Sequence, residues 1–232
     1  EFQRYLPILI GNMATGNNCW GLKARSTNWG SSLNYLEKLA DGDILILSGS
    51  IPKSIDDDIY ENIMARLDGR GIRIVVDAEK NLLLNVLQYH PFLIKPNNHE
   101  LGDMFGVVLN GDGEITEYAK KLQERGARNV LISMAGDGAI LVDETGKTHR
   151  MGVPKGTVRN SVGAGDSMVA GFVAGYLERQ DYEHALRLGS AAGSASAFSE
   201  GLASKEDIMK LYQELSGETR KVHACTGRPG NE

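Results

Sequence analysis

The sequence has little cysteine, and its two cysteines are far apart. Cys19 and Cys225 lie near opposite ends of a chain of 232 residues, and neither belongs to a CxxC pair. This spacing predicts neither a disulfide framework nor a structural zinc site. We therefore interpret both as incidental thiols of a protein from a reducing, cytoplasmic compartment.

An excess of positive charge and long apolar runs are also missing. The formal net charge is -5, whereas nucleic-acid-binding domains are normally basic. No apolar run reaches the roughly 18 residues that a membrane-spanning helix requires. The stretch "YLPILIG" near the start lacks the basic flank of a signal peptide. The composition therefore predicts a globular protein that binds neither nucleic acid nor a membrane.

Strand-like and helix-like segments alternate over residues 43–133. The apolar runs "DILILSG", "IRIVVDA", "PFLIKPN" and "NVLISM" predict strands. Amphipathic segments separate them. The first places Ile59 and Leu67 on one helix face, behind Ser54 and Asp57 at capping-box spacing. This alternation predicts an α/β fold with a mostly parallel central sheet covered by helices on both faces.

The pattern changes after residue 138. The stretch "GAILVDETGKTHRMGV" predicts a β-hairpin. Its "TGKT" resembles the end of a Walker A loop, but Leu141 stands where that loop requires glycine, so we interpret it as a turn. Three helices are then expected, over residues 164–178, about 182–199 and 204–216.

The two ends of the chain differ from its middle. Residues 1–33 show no convincing helical or strand period, and the last residues are loop-like. We therefore predict one α/β nucleotide-binding and catalytic domain over residues 34–217, with an unassigned segment 1–33 before it and a tail 218–232 after it.

The most informative motif is "NSVGAGDS" at residues 160–167. Gly163, Ala164 and Gly165 fall at the start of a predicted helix, where backbone N–H groups lack partners and the helix dipole favours an anion. Asp166 would oppose anion binding there, unless it accepts a proton from a hydroxyl that attacks the anion. We hypothesise a phosphoryl group held by the turn, with Asp166 as base. The alternative is that Asp166 only stabilises its helix N-terminus.

A second motif, "KPNNHE" at residues 95–100, follows a predicted strand and opens a helix. The spacing of Asn97 and Glu100 would place both at the carboxyl end of the sheet, where open α/β sheets bind ligands. Glu100 is a candidate ligand for Mg²⁺, directly or through water. The alternative is that Asn97 or Asn98 caps the helix and the acid merely occupies its first turn.

Two further strand ends carry small or polar residues. Ser133, Gly136 and Gly138 follow one strand, where glycines would let a nucleotide lie against the backbone, although a tight turn is the alternative explanation. The stretch "SGSIP" at residues 48–52 follows another strand. Because three such motifs would converge on one edge of the sheet, we predict a ligand crevice there.

These segments together resemble the phosphofructokinase B (PfkB) family of sugar kinases, within the ribokinase-like superfamily. "NSVGAGDSMVAGF" resembles the family's C-terminal signature, and matches in order and spacing are found for "SGSIP", "VVDA", "LIKPNNHELGDMFG", "VLISMAGDGA" and "GSAAGSASAFSEG". The resemblance covers about residues 34–217 and is strongest to the branch of 1-phosphofructokinases and tagatose-6-phosphate kinases. It implies a three-layer α/β/α fold and ATP-dependent, Mg²⁺-assisted phosphorylation of a sugar-phosphate hydroxyl.

The resemblance also implies roles for individual residues. Asp166 matches the catalytic base, and Glu100 matches the acid near the metal. The anion hole for the γ-phosphate would be formed by Gly163, Ala164 and Gly165. The implied nucleotide-binding residues are Ser133, Gly136, Gly138, Asn97, Ala192, Gly193 and Ser196.

The sequence departs from the family at its N-terminal end. Residues 1–33 lack the GGKGxNVA-like motif and the small sheet that forms a lid over the sugar phosphate in the family, so we expect that lid to be missing or altered. The resemblance implies fructose 1-phosphate as substrate, with tagatose 6-phosphate as the alternative, and a homodimer stays open. A nucleotide-binding module without sugar turnover is the hypothesis from another class. A dinucleotide-binding oxidoreductase is disfavoured, because no GxGxxG follows the first strand.

Overall fold

The computed structural model describes residues 6–12, 18–24, 36–49, 58–201 and 203–224. The chain divides into two compact units. Unit 1 consists of the residues up to Ser133 together with Ile140–Thr148, and unit 2 consists of Met134–Ala139 together with the residues from His149 onward.

Unit 1 is built on a sheet whose neighbouring strands run mostly parallel. Its strands are β1 (Leu6–Asn12), β2 (Asn18–Ala24), β3 (Ile44–Ser48), β4 (Arg73–Asp77), β5 (Leu93–Ile94), β6 (Asn129–Ser133) and β7 (Ala139–Val142). They lie in the order β2-β1-β3-β4-β5-β6-β7. The pairs β3–β4, β4–β5 and β5–β6 are parallel, whereas β1 is antiparallel to both β2 and β3.

Helices connect the parallel strands, as the alternating sequence pattern predicted. They are α1 (Ile59–Leu67), α2 (Lys80–Val86), α3 (Asn98–Phe105) and α4 (Gly111–Glu124). A 3₁₀ turn over Leu87–Tyr89 continues α2. Parallel strands require such crossover connections, because a tight turn cannot return the chain to the same end of the sheet.

The core of unit 1 surrounds β3 and β4. Every residue of β3 is buried, and Leu45, Leu47, Val75 and Val76 have no exposed surface. Strands of a parallel sheet are covered on both faces, which explains why β3 reads as an unbroken apolar run instead of an alternating one. Each such buried aliphatic side chain contributes about 1.5–3 kcal/mol relative to exposure.

Strand β5 is shorter than the run "PFLIKPN" predicted. Regular pairing stops after Ile94, since Pro96 has no N–H to donate to the ladder. Pairing resumes in an isolated parallel bridge between Asn97 and Ser133. The bridge keeps the start of α3 beside the end of β6.

The N-terminal segment contains two strands that the sequence analysis did not predict. β1 pairs with β2 over its whole length and with β3 over Ile8–Gly11. Pro7 and Gly21 lower local strand propensity. Pairing with β3 joins residues distant in the sequence, which a local pattern does not register.

The connection after β7 is the turn that the sequence predicted. The N–H of Asp143 donates to the Lys147 carbonyl at 3.0 Å, and Asp143 Oδ1 accepts from the N–H and hydroxyl of Thr145 at 2.9 and 2.6 Å. Gly146 takes a φ of 82°. The stretch "TGKT" is therefore a turn, and β8 (Thr148–Met151) follows it.

Unit 2 contains the three helices that the C-terminal half predicted. They are α5 (Ala164–Arg179), α6 (Tyr182–Phe198) and α7 (Lys205–Ala224). The Asp181 carboxylate caps α6 by accepting from the His184 N–H at 2.6 Å. Helix α7 continues to Ala224 instead of ending near residue 216.

Some predictions fall outside the described residues, namely those on Ser54, Asp57, Cys225 and residues 50–52 of "SGSIP". Among the helices that the structure describes, none is long and apolar enough to cross a membrane.

Candidate active site

The start of α5 has the backbone geometry that the glycine-rich motif predicted. Gly163 is the N-cap residue, with a φ of 81° in the left-handed region that glycine adopts without strain. Just before it, Asn160 Oδ1 accepts a hydrogen bond from the Val162 N–H at 3.0 Å. The helix begins at Ala164, and the N–H groups of a first turn point outward, beyond the helix end. Within the turn, the Ala164 N–H donates to the Ser161 carbonyl at 3.2 Å. The N–H groups of its two glycine neighbours are placed where a helix start suits an anion.

Asp166 lies in this first turn and is exposed. A carboxylate near a helix N-terminus interacts favourably with the helix dipole, by about 0.3–1 kcal/mol. Stabilisation of the helix N-terminus, the structural alternative considered for Asp166, is therefore sufficient to explain an acid at this position. Exposure also leaves the carboxylate accessible to a substrate hydroxyl, so the geometry is compatible with the catalytic role.

One turn of α6 contacts the residues that lead into α5. The Ala197 carbonyl accepts hydrogen bonds from the N–H groups of Arg159 at 2.8 Å and Asn160 at 3.1 Å. One residue earlier, the Ser196 hydroxyl donates to Ser167 Oγ at 2.8 Å. The segment Gly193–Ala197, which we call the α6 turn, therefore holds both the loop before α5 and its first helical turn.

Ala192, Gly193 and Ser196 are buried against α5. A Cβ added at Gly193 would lie 3.0 Å from the Ala164 carbonyl oxygen, and one added at Gly171 would lie 2.8 Å from the Ala192 Cβ. Ala192 and Ser196 are each 4% exposed. Their small size is therefore explained by close packing of two helices, and a contact with nucleotide stays a prediction.

Asn97 and Glu100 form a capping box at the start of α3. Asn97 Oδ1 accepts from the Glu100 N–H, and Glu100 Oε2 accepts from the Asn97 N–H, each at 2.8 Å. The structural alternative considered for this motif is thus realised, with Asn97 as the cap. A carboxylate offers about four lone-pair sites, so this bond leaves Glu100 capacity for another ligand.

Glu100 fits one mode of Mg²⁺ binding but not another. Within the described ranges, no group of three or more His, Cys, Asp or Glu side chains could hold a metal ion. A dedicated protein cage is therefore not seen there. Mg²⁺ is commonly held by one or two carboxylates together with phosphate oxygens and water. Glu100 at the edge of the sheet suits that second mode, and its role as a ligand stays a prediction.

Ser133 lies beside Asn97, as the convergence of strand ends predicted. Besides the bridge between these residues, the Ser133 N–H donates to the Pro96 carbonyl at 3.2 Å. Two of the three predicted motifs of unit 1 therefore meet at the carboxyl ends of β5 and β6.

Gly136 and Gly138 lie in the short segment of unit 2 that follows β6. Gly138 has a φ of 90°, and a Cβ there would collide with the Met151 carbonyl oxygen. The turn itself therefore requires this glycine. At Gly136 an added Cβ would meet nothing within 4 Å, so space for a ligand exists beside it, and its nucleotide contact stays a prediction.

The carboxyl end of β5 also carries a buried lysine that the sequence analysis did not single out. Lys95 is 8% exposed, and its Nζ lies 3.2 Å from Asp77 Oδ1 at the end of β4. Nearby, the Tyr60 hydroxyl donates to the Gly49 carbonyl at 3.2 Å. Burial, and secondarily the charge of Asp77, raises the pKa of Tyr60. Lysine is rarely buried unless paired, and a lysine directly after a buried strand was the available signal.

Comparison with known proteins relates most of the chain to one family. Residues 14–209 match the pfkB family of carbohydrate kinases. The 1-phosphofructokinase of Bacillus subtilis (strain 168) is 46% identical over 183 residues, which cover 79% of this chain and 60% of that protein. A D-tagatose-1-phosphate kinase of Bacillus licheniformis is 38% identical over 185 residues, again 79% of this chain and 60% of the relative. The chain thus spans about 60% of the length of these curated relatives.

A solved structure shows the same fold. The crystal structure of phosphofructokinase-2 from Escherichia coli in complex with substrates and products has a TM-score of 0.77 at 26% identity, over 89% of this chain and 70% of that chain. This likeness confirms the predicted α/β fold with a mostly parallel sheet.

Proposed function

This chain belongs to the pfkB family of carbohydrate kinases, and from this membership we propose that it transfers the γ-phosphoryl group of ATP to a hydroxyl of a sugar phosphate. The observation that carries the proposal is the start of α5, where a left-handed glycine cap precedes an exposed acid in the first helical turn. Such a turn supplies donors for an anion and a base for its attacker within four consecutive residues, Gly163–Asp166.

In the proposed reaction, Asp166 accepts the proton of the attacking sugar hydroxyl. A bond forms between that oxygen and the γ-phosphorus, while the bond from the γ-phosphorus to the bridging oxygen breaks and ADP leaves with the electron pair. Positioned acid–base groups of this kind contribute about 10²–10⁴-fold to a rate.

The N–H groups of Gly163 and Gly165 would stabilise the charge that spreads over the transferring oxygens. The Ala164 N–H donates to the Ser161 carbonyl at 3.2 Å and would have to share its proton with the phosphoryl group. Donors that belong to a helix start are oriented before the reaction, which is the condition for electrostatic catalysis. The positive end of the α5 dipole adds to this stabilisation. The absence of side chains larger than a methyl group at these positions allows the phosphoryl group to approach the backbone.

Bound Mg²⁺ would neutralise charge on the phosphate oxygens of ATP. Glu100 would hold the ion, directly or through water, from the side of the carboxylate that the capping box does not use. Asn97 would keep Glu100 in place through the same box. Nucleotide contacts from Ser133 and from Gly136 belong to this proposal as well.

The substrate that we propose is fructose 1-phosphate. The relative with the higher identity, 46%, is named a 1-phosphofructokinase, and the one named a D-tagatose-1-phosphate kinase is 38% identical. D-tagatose 1-phosphate is therefore the second candidate. Tagatose 6-phosphate, the alternative drawn from the sequence, stays a prediction.

The deciding experiment is Mg-ATP turnover against a panel of sugars, with Asp166→Asn beside the parent chain. The panel contains fructose 1-phosphate, D-tagatose 1-phosphate, tagatose 6-phosphate, fructose 6-phosphate and ribose. We expect turnover of fructose 1-phosphate by the parent and a loss of about 10²–10⁴-fold in kcat for Asp166→Asn, with ATP affinity retained.

A matched control separates catalysis from helix stabilisation. Asp112 occupies the first turn of α4, is exposed, and has the same relation to a helix dipole as Asp166. Asp112→Asn should therefore leave kcat within about twofold of the parent, because it removes an acid from a helix start outside the proposed site. Equal losses in the two variants would contradict Asp166 as base. ATP binding without turnover of any sugar would favour a nucleotide-binding module.

A further inference from the structure

The loop that precedes α5 is mostly exposed. All residues from 155 to 162 are exposed, and Val158 and Val162 retain 63% and 82% of their surface. A segment with so little buried apolar surface has few contacts that could fix a geometry to within the fraction of an ångström that catalysis requires. Local hydrogen bonds are made by the N–H groups of Val162, to Asn160 Oδ1, and of Ala164, to the Ser161 carbonyl. Contacts with another element add to these local bonds in orienting the first turn of α5.

Three residues of the α6 turn supply these contacts. At Gly193 the helix approaches the Ala164 carbonyl so closely that an added Cβ would lie 3.0 Å from it. At Ser196 the hydroxyl bonds the Ser167 hydroxyl. At Ala197 the carbonyl receives two N–H groups of the loop. One rigid helical turn thus holds residues on both sides of Gly163.

Among these contacts, the one from Ser196 reaches the residue next to Asp166. Ser196 is 4% exposed, and its 2.8 Å bond to Ser167 Oγ is partly buried. Burial alone does not guarantee such a bond, because Ser190 on the same helix is 2% exposed and its hydroxyl has no hydrogen-bond partner. The Ser196–Ser167 contact is therefore a specific link between two helices.

We infer that Ser196 is a positioning residue, which fixes the first turn of α5 through Ser167 and thereby sets the orientation of Asp166. This inference rests on the proposed function, since it concerns the same site. It differs from the nucleotide contact that the family resemblance implies for Ser196. A positioning residue affects kcat, whereas a residue that binds ATP affects the affinity for ATP.

The test compares Ser196→Ala, Ser167→Ala and the double variant with the parent. We measure kcat with fructose 1-phosphate, the Kd for Mg-ATP, and amide hydrogen exchange over residues 163–167. The expected result is a kcat reduced about two- to tenfold in each single variant, the effect of one net hydrogen bond expressed in the transition state. The double variant should lose no more than either single one, because both remove the same bond. Exchange of the first-turn amides should be faster, and the Kd for Mg-ATP should stay within about twofold of the parent.

Two further variants separate positioning from general stability. Ser190→Ala removes a buried serine hydroxyl from the same helix and should leave kcat unchanged, since that hydroxyl has no partner. Ser167→Thr keeps a hydroxyl at the accepting position and should restore most of the activity that Ser167→Ala loses.

Three outcomes would overturn the inference: an unchanged kcat in Ser196→Ala while the parent is active, losses that add in the double variant, or a raised Kd for Mg-ATP with unchanged kcat. The last would instead support a direct nucleotide contact. A parent without turnover contradicts the proposed function, and the hydrogen-exchange comparison of Ser196→Ala with the parent then decides the positioning inference by itself.

Discussion

Single residues at the candidate site have a structural task in the fold, and a chemical task is proposed for the same residues. Asp166 stands where an acid stabilises a helix start, and Glu100 closes a capping box whose other member is Asn97. The sequence alone was compatible with a structural and with a chemical role for these acids, because a helix cap and a ligand require the same residue types at the same place. The pairing of Lys95 with Asp77 was not predicted, since it joins the ends of two strands that are distant in the sequence.

Tyr60→Phe should weaken the loss of stability at alkaline pH. Burial, together with the charge of Asp77, raises the pKa of Tyr60 above its ordinary value of 10.0. The folded chain therefore keeps this proton at pH values where the unfolded chain has released it. Stability from this group is complete below about pH 10 and falls as the pH rises further, by at most about 1.4 kcal/mol per pH unit.

Urea denaturation of both proteins at several pH values from about 9 to about 11 measures this effect. The free energy of unfolding should fall more steeply in the parent than in Tyr60→Phe. The variant should also start about 1 kcal/mol lower, because its ring cannot donate to the Gly49 carbonyl. Tyr89→Phe, at a half-buried position of the same unit, is the control. Parallel pH dependences of parent and Tyr60→Phe would show that the burial of Tyr60 does not govern its ionisation.

At the scale of elements, the parallel strands and the helices between them were predictable from hydrophobic periodicity. Helices α5 and α6 were predicted almost to their observed bounds, because glycine, aspartate and polar clusters mark their ends. Strands β1 and β2 were missed, since β1 pairs with β3, which is distant in the sequence, and β2 pairs with β1. Neither strand has a clear pattern of its own. The small residues of α6 were evident in the sequence. Their close packing against α5, which explains their small size, was not predicted.

Gly171→Ala should destabilise the pair formed by α5 and α6. Its Cβ would lie 2.8 Å from both the Ala192 Cβ and the Leu188 carbonyl oxygen, so the helices would have to separate. Overpacking of this kind costs about 1–3 kcal/mol. Thermal or urea unfolding of the variant beside the parent measures the loss.

Gly217→Ala is the matched control within the same unit. Gly217 lies within α7, is exposed, and an added Cβ meets nothing within 4 Å. Alanine should therefore stabilise the protein by up to about 1 kcal/mol, because it has the higher helix propensity. A loss of stability equal to that of Gly171→Ala would refute the packing explanation.

One α/β catalytic domain over residues 34–217 was expected for the whole molecule, and this domain boundary stays a prediction. The described residues group into two compact units. The family resemblance rested on the order of the motifs along the chain. That order does not tell which residues group into one compact unit. A homodimer, which the sequence analysis left open, is likewise untested. Comparison with relatives, of which this chain spans about 60%, shows its family, and the identity of the sugar phosphate stays a proposal.

Mg-ATP should stabilise the folded chain against heat and denaturant. A ligand that binds only the folded state adds about 2.7 kcal/mol to the free energy of unfolding at a concentration 100-fold above its Kd. Thermal unfolding with and without Mg-ATP measures the gain. Asp166→Asn should show a similar gain, because the proposed base acts on the sugar hydroxyl and not on nucleotide binding. An unchanged unfolding temperature at saturating Mg-ATP would remove the basis for an ATP-dependent activity.

The glycine contacts between α5 and α6 restrict the substitutions that this protein can accept. An added Cβ would lie no more than 3.0 Å from an atom of the facing helix at four glycines, namely Gly171 and Gly175 on α5 and Gly189 and Gly193 on α6. Substitution at any one of them is opposed unless the facing helix also moves, and a moved α6 would carry Ser196 and Ala197 away from the start of α5. Substitutions along this helix pair are therefore tolerated mainly as paired changes on both helices, whereas residues of the exposed loop before α5 can change singly.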